Sequence, residues 1–391
     1  MKKHVFHGFG FLTVFFLLGL VACSSNSSKP SAASAKTPLA WPTEMRAIEA
    51  HMLYLLDVSS DLADYSKENS TEAKNITQSF KVLKTKAQNL TSKKIEPDKD
   101  PTLEIVAKRF AKNIELAADS FETGSYDFSR SVLTSSVAQC VQCHTRLEYG
   151  PQLSAPKLTH TLQNYKPIEK IQLLVATRNF TEAENEIRMA LSDNNRDRLS
   201  AADWKSIVQL GLIMQVRFKN DMKGTQDFIK EIKSNSKLPF FVKKNLASWE
   251  KSIPVWRSAL ATNDKVKLAD YFIKKGDHAT KVAKGEAGLI YYLVAARILH
   301  ESLAFTAQDR QVSEKLFRLG QLNAWNIDLG AWSMSEDYYE MCIRKTPHSG
   351  IAKKCYASLE QSLNQSFTGS LNQVLPDDIK NRLKEYKELS M

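Results

Sequence analysis

The stretch "YDFSRSVLTSSVAQCVQCHTRLEY", residues 126–149, decides how the first half of this chain reads. Leu133, Val137, Cys140 and His144 recur at intervals of three and four, so one face of a helix carries them all. Three similar stripes precede it. "PTEMRAIEAHMLYLLDVSSDLADY" (42–65) places Met45, Ile48, Met52, Leu55, Ser59 and Leu62 along one seam. "STEAKNITQSFKVLKTKAQNL" (70–90) does the same with Ile76, Phe80, Leu83, Ala87 and Leu90. "DPTLEIVAKRFAKNIELAADSFETG" (100–124) opens on Asp100–Pro101, a cap-and-start pair, and closes near Gly124. Its stripe is Leu103, Val106, Phe110, Ile114, Ala117 and Phe121. Short links between amphipathic helices predict a four-helix bundle.

Cys140, Cys143 and His144 spell C-x-x-C-H. Three chemistries use such a pair. A zinc site needs four ligands, and no second cysteine pair is close. A thioredoxin-like dithiol needs strand–helix alternation around it, which is missing here. The third is covalent attachment of haem c, for which this spacing is the signature. Each thiol adds to one vinyl group and the adjacent imidazole reaches the iron, so all three residues must share a helix face. A structural disulfide is the competing bland reading.

The N-terminus bears on the choice. "MKKHVFHGFGFLTVFFLLGLVACSSNSSKPSAASAK" (1–36) has Lys2 and Lys3 before an apolar run from Val5 to Ala22, the pattern of an export signal. Leu20-Val21-Ala22-Cys23 resembles the lipobox of bacterial lipoproteins. That resemblance implies cleavage after residue 22, a diacylglycerol on Cys23 and, with Ser24 in place of an acidic residue, the periplasmic face of the outer membrane in preference to the inner. "SSNSSKPSAASAKTPLAWP" (24–42) cannot build a core and reads as a flexible tether over 23–41, able to hold the body roughly 25 Å from a bilayer. An oxidising compartment disfavours the cytosolic redox reading of the cysteines.

The whole chain has 54 basic and 43 acidic residues. The positive charges are spread without a basic block, so the surplus suits anionic surfaces or acidic partners, and nucleic acid is not expected.

Four helices with C-x-x-C-H on the last resemble the cytochrome c-prime family over residues 43–149. "GSYDFSRSVLTSSVAQ" before the motif and "MRAIEAHM" (45–52) on the first helix carry the likeness. The resemblance implies His144 as proximal iron ligand and, as in the six-coordinate relatives, Met45 as distal ligand. Trp41 stands where the family often has an arginine, and Arg146 or Tyr149 would fill its basic or aromatic position after the histidine. The residues themselves leave the distal side open to Met45, His51, Met52 or none of them. A closed sphere favours electron transfer; an open one admits a gas such as nitric oxide.

"PQLSAPKLTHTLQNYKP" (151–167) has three prolines and no helical period, and marks a linker between a 42–150 cytochrome domain and a 168–391 domain. The latter is helical throughout. "LLVATRNFTEAENEIRMAL" (173–191) has the spacing of a helix–turn–helix pair. "LFRLG" (316–320), Tyr338–Tyr339 and Pro347 resemble tetratricopeptide repeats, which implies a divergent α-solenoid with a protein-binding face. Cys342 and Cys355 flank "RKTPHSG" (344–350), on arms close enough for a disulfide. His278, His300 and His348 lack ligand spacing, and Trp325, Trp332, Tyr338 and Tyr339 read as repeat-core aromatics.

The expectation is therefore an all-α, lipid-anchored monohaem cytochrome, with a redox partner docked by helical repeats and no enzymatic turnover. Gas binding or sensing, and a scaffold whose bundle the haem stabilises, are the alternatives.

Overall fold

The computed structural model describes residues 40–66, 70–92, 100–146, 165–192, 199–236, 238–259, 264–325, 334–368 and 375–391. The export-signal segment, Cys23, Tyr149, Trp332 and most of the 151–167 stretch lie outside them. Among the described residues every regular element is a helix. None is long and apolar enough to cross a membrane. Residues 41–391 hold together as one compact unit.

The first elements are α1 (Ala40–Ser60), α2 (Leu62–Tyr65), α3 (Thr71–Ser92), α4 (Thr102–Glu122), α5 (Tyr126–Ser135) and α6 (Val137–His144). The apolar stripes explain their packing: Ile48, Met52, Leu55, Ile76, Phe80, Leu83, Val106, Phe110 and Ile114 are all buried. Antiparallel order follows from the cross-links. Lys86 pairs with Glu44 at 3.0 Å and Tyr54 bonds Glu72 at 2.5 Å, which sets α1 against α3. Lys84 reaches Glu115 at 2.9 Å and Phe80 lies 5.7 Å from Phe121, which sets α3 against α4. Ser129 donates to the Ala117 carbonyl at 2.6 Å, tying α4 to α5.

One expected helix arrives as two. α5 and α6 break at Ser136, whose hydroxyl donates back to the Val132 carbonyl at 2.8 Å. Such back-bonding by serine competes with the helix ladder and bends it.

Beyond the linker come α7 (Pro167–Ala176), α8 (Phe180–Leu191), α9 (Ala201–Leu212) with a π-helical continuation Ile213–Phe218, α10 (Met222–Ser234), α11 (Phe240–Ala259) and α12 (Lys265–Ala283). They are followed by α13 (Leu289–Leu303), α14 (Asp309–Asn323), α15 (Met334–Lys345), α16 (Gly350–Thr368) and α17 (Asp377–Ser390). Starts are capped by short polar side chains: Ser200 accepts from the Asp203 amide, Asp221 from Gly224 and Asp264 from Lys267.

Three helix pairs, α9/α10, α12/α13 and α14/α15, share one device. A Cβ on Gly211 would sit 2.3 Å from Phe228, on Gly276 2.4 Å from Tyr292, and on Gly320 2.4 Å from Tyr339. Each time a glycine on the first helix lets an aromatic ring of the second lie against its backbone. α13 is buried on all sides from Leu289 to His300, as an apolar helix must be when neighbours cover its whole circumference. Cys342 and Cys355 are joined by a disulfide between α15 and α16, with Cα atoms 6.3 Å apart. Tyr338 and Tyr339 are core residues. Trp325 is not: it is half exposed and stacks on Tyr292, just past the end of α14.

Candidate haem-attachment site

α6 is short and buried on most sides, with Val137, Ala138, Gln139, Val141 and Gln142 all covered. Asn113 of α4 donates to Gln139 at 3.3 Å. Cys140, Cys143 and His144 form the remaining arc of the helix and keep some accessible surface. Both cysteines are free thiols packed against the core. Burial pushes the Cys140 thiol up to about 12, and the neighbouring Cys143 adds to the effect. Burial also raises Cys143 to about 11, against the pull of the Arg146 and Arg178 charges. Redox-active dithiols are activated by the opposite shift.

His144 ends the helix. Its Nδ1–H donates to the carbonyl of Ala176, at the end of α7, at 2.5 Å. A carbonyl can only accept, so the proton sits on Nδ1 and Nε2 keeps its lone pair. Burial is the main cause that lowers the imidazole to about 4, with the Arg178 charge acting the same way and the Ala176 bond opposing them. The ring is therefore neutral at ordinary pH, the state in which it can ligate iron. Two thiols on one arc and an imidazole with one nitrogen committed and the other available fit the donor set of an attached haem.

Charge gathers around this end. Arg146 donates to Thr102 at 3.3 Å, Arg178 to the His144 carbonyl at 3.4 Å, and Arg217 to Thr145 at 2.6 Å. Arg178 adopts a left-handed φ of 62° in the turn from α7 to α8, and Arg217 lies on the π-helical segment. Asp100, at the start of α4, accepts from the Thr102 amide at 2.9 Å and from His300 of α13 at 2.5 Å. Burial alone would push Asp100 up; the charge and hydrogen bond of His300, the Arg146 charge and the Thr102 hydroxyl outweigh it and hold the carboxyl below its usual range. Sequence spacing singled out none of Asp100, Arg178, Arg217 and His300 for this site. They meet only through long-range packing. The one local signal was the Asp100–Pro101 cap.

The distal candidates are placed elsewhere. Met52 is buried in the core, whereas Met45 and His51 are partly covered. Burial lowers His51. Cys140, Cys143 and His144 share one arc of α6, and Met45, His51 and Met52 lie on α1.

Among the described residues no group of three or more His, Cys, Asp and Glu side chains is arranged to hold a metal ion by itself. No protein-family model, curated protein or solved structure matches the chain.

Proposed function

We propose that this chain is an exported, lipid-anchored c-type cytochrome with one haem, which passes single electrons to or from a protein partner. In this reading α1, α3, α4 and α5–α6 are a four-helix bundle, and α7–α17 are a solenoid of helix pairs that docks the partner. The observation that carries it is His144: within C-x-x-C-H, its Nδ1 is spent on the Ala176 carbonyl and its Nε2 is left to ligate. Haem, when bound, supplies an iron that alternates between ferrous and ferric states. Cys140 and Cys143 would hold it through thioethers. The Ala176 carbonyl fixes the imidazole plane and raises the basicity of its ligating nitrogen. Arg146, Arg178 and Arg217 offer guanidinium groups to the two haem carboxylates. The other sides of α6 are buried, which leaves the arc of Cys140, Cys143 and His144 as its accessible side.

A second reading is binding of a small gas at an open iron: Met52 is buried in the core and Met45 packs against it, so each has a structural role without ligating. One set of spectra of the purified full chain separates the two. Covalent haem should survive acid–acetone extraction and vanish in C140S/C143S; its absence from the parent protein would sink both readings. A sharp low-spin reduced spectrum unchanged by carbon monoxide supports electron transfer. A high-spin spectrum that shifts with the gas, and does not respond to Met45→Ala, supports the open site.

A further inference from the structure

We propose that the cavity between α12 and α14, whose wall includes Lys315, binds a small organic acid, a carboxylate on an apolar body. Lys315 is buried, with 5% of its surface accessible. A lysine this covered is the exception in folded proteins and is ordinarily paired with a carboxylate. Here its Nζ donates to the Ser302 carbonyl at 3.1 Å and to the Thr306 hydroxyl. Both acceptors lie where α13 ends, and neither carries a full charge.

No carboxylate answers this ammonium. Burial lowers the Lys315 amine, and no acidic neighbour opposes the shift. An ammonium has three N–H donors, so one is left after Ser302 and Thr306. Lys315, Ser302 and Thr306 all line one open cavity of about 860 Å³. That size suits a small ligand.

The carboxylates of the wall are already matched. Asp264 pairs with Lys267 at 3.3 Å, Asp270 with Arg318 at 2.8 Å, Glu314 with Arg310 at 3.6 Å, and Glu301 with Arg297. These four are the acids that line the cavity, so Lys315 is its one buried cation with no anion among the described residues. Ile298, Val266 and Phe305 supply the apolar part of the wall, and Phe305 is 88% exposed. A monoanion matches a single amine. A phosphate would call for several donors or a guanidinium fork, and Arg318 has given its fork to Asp270. The inference does not depend on haem.

The test uses the purified full chain with naphthoate as probe, naphthamide as its uncharged counterpart and acetate as the bare carboxylate. Calorimetry follows binding. The amine itself is followed by its NMR signal in a chain carrying isotope-labelled lysine, assigned by its absence from Lys315→Met. Naphthoate should bind saturably and raise the pH at which Lys315 loses its proton, and its affinity should fall as pH rises through that point. Losing one charge-assisted hydrogen bond corresponds to about tenfold or more in affinity, so naphthamide and Lys315→Met should each show a loss of that size. Phe305→Ser should weaken naphthoate while leaving the titration of the free amine unchanged, and helical circular dichroism checks that each variant is folded. Should Lys315→Met fail to fold, the shift of the Lys315 signal in the parent protein decides. Absence of naphthoate binding, or binding that leaves that signal unmoved, overturns the proposal. So does naphthamide binding as tightly as naphthoate, which makes the cavity a purely apolar site. Acetate binding as tightly likewise overturns it, because the apolar wall then contributes nothing.

Discussion

The two ends of the α3–α4–α5 core are closed by different means. At one end the first half closes itself: Tyr65, Phe80, Phe121 and Tyr126 stack their rings, with Tyr65 and Phe121 centroids 5.0 Å apart. The Tyr65 and Ser129 hydroxyls lie within 2.8 Å, and Ser129 passes the chain of bonds on to Ala117. At the other end the first half stops short. Asp100, Thr102, His144 and Thr145 take their partners from α13, the α7–α8 turn and the π-helical segment. One end is an apolar plug; the other is an electrostatic joint between distant parts of the chain. Local pattern is enough to build the plug, whereas the joint exists only once some 200 further residues have folded.

The largest expected effect comes from breaking the joint. Asp100→Ala leaves His300 and Arg146 without their buried carboxylate, and should cost about 3–5 kcal/mol in urea unfolding of the full chain. The same pair predicts a pH dependence. Because the folded carboxyl is held below its ordinary value, its contribution is complete above the unfolded carboxylate range and is lost as pH falls through the folded value. Asp100→Asn should flatten that acid limb; an unchanged limb would mean that other carboxylates govern it.

A covalent link between α15 and α16 comes next. Its 13-residue separation corresponds to a loop-closure effect of roughly 3 kcal/mol, so C342S/C355S should lower the thermal midpoint by several degrees. Gly276→Ala is expected to cost about 1–3 kcal/mol, because Tyr292 must move off the helix backbone. Ser129→Ala, at the self-closed end, should cost only about 1 kcal/mol, measured by the same unfolding curves. If Ser129→Ala proved as costly as Asp100→Ala, the contrast between the two ends would fail.

How much of this was legible follows the same division. The stripes of α3 and α4 could be read directly, since Ile76, Phe80, Leu83, Val106 and Ile114 all face the core that their spacing implies. That Cys140, Cys143 and His144 share one arc of a helix was legible from their spacing. The break at Ser136 was not, because a hydroxyl that bonds its own backbone looks from sequence like any other helical serine. Trp325 was misplaced in the core because aromatic spacing alone does not say which rings the fold covers. Of the arginines at the site, Arg146 follows directly on the motif, but Arg178 and Arg217 could not be read: they arrive through a left-handed turn and a widened helical turn, neither of which has a sequence period.

The bond from His300 to Asp100 also has a consequence in time. It closes a loop of 200 residues, at an entropic cost of roughly 5 kcal/mol for an unstructured chain. α13, buried on all sides from Leu289 to His300, gains little from forming before its neighbours are present. The aromatic plug can therefore assemble early from nearby contacts, while the end carrying Cys140 and Cys143 stays unsealed until most of the chain is in place. For those two thiols, the order of folding sets a period of fuller access than the finished structure, which packs them against the core, allows.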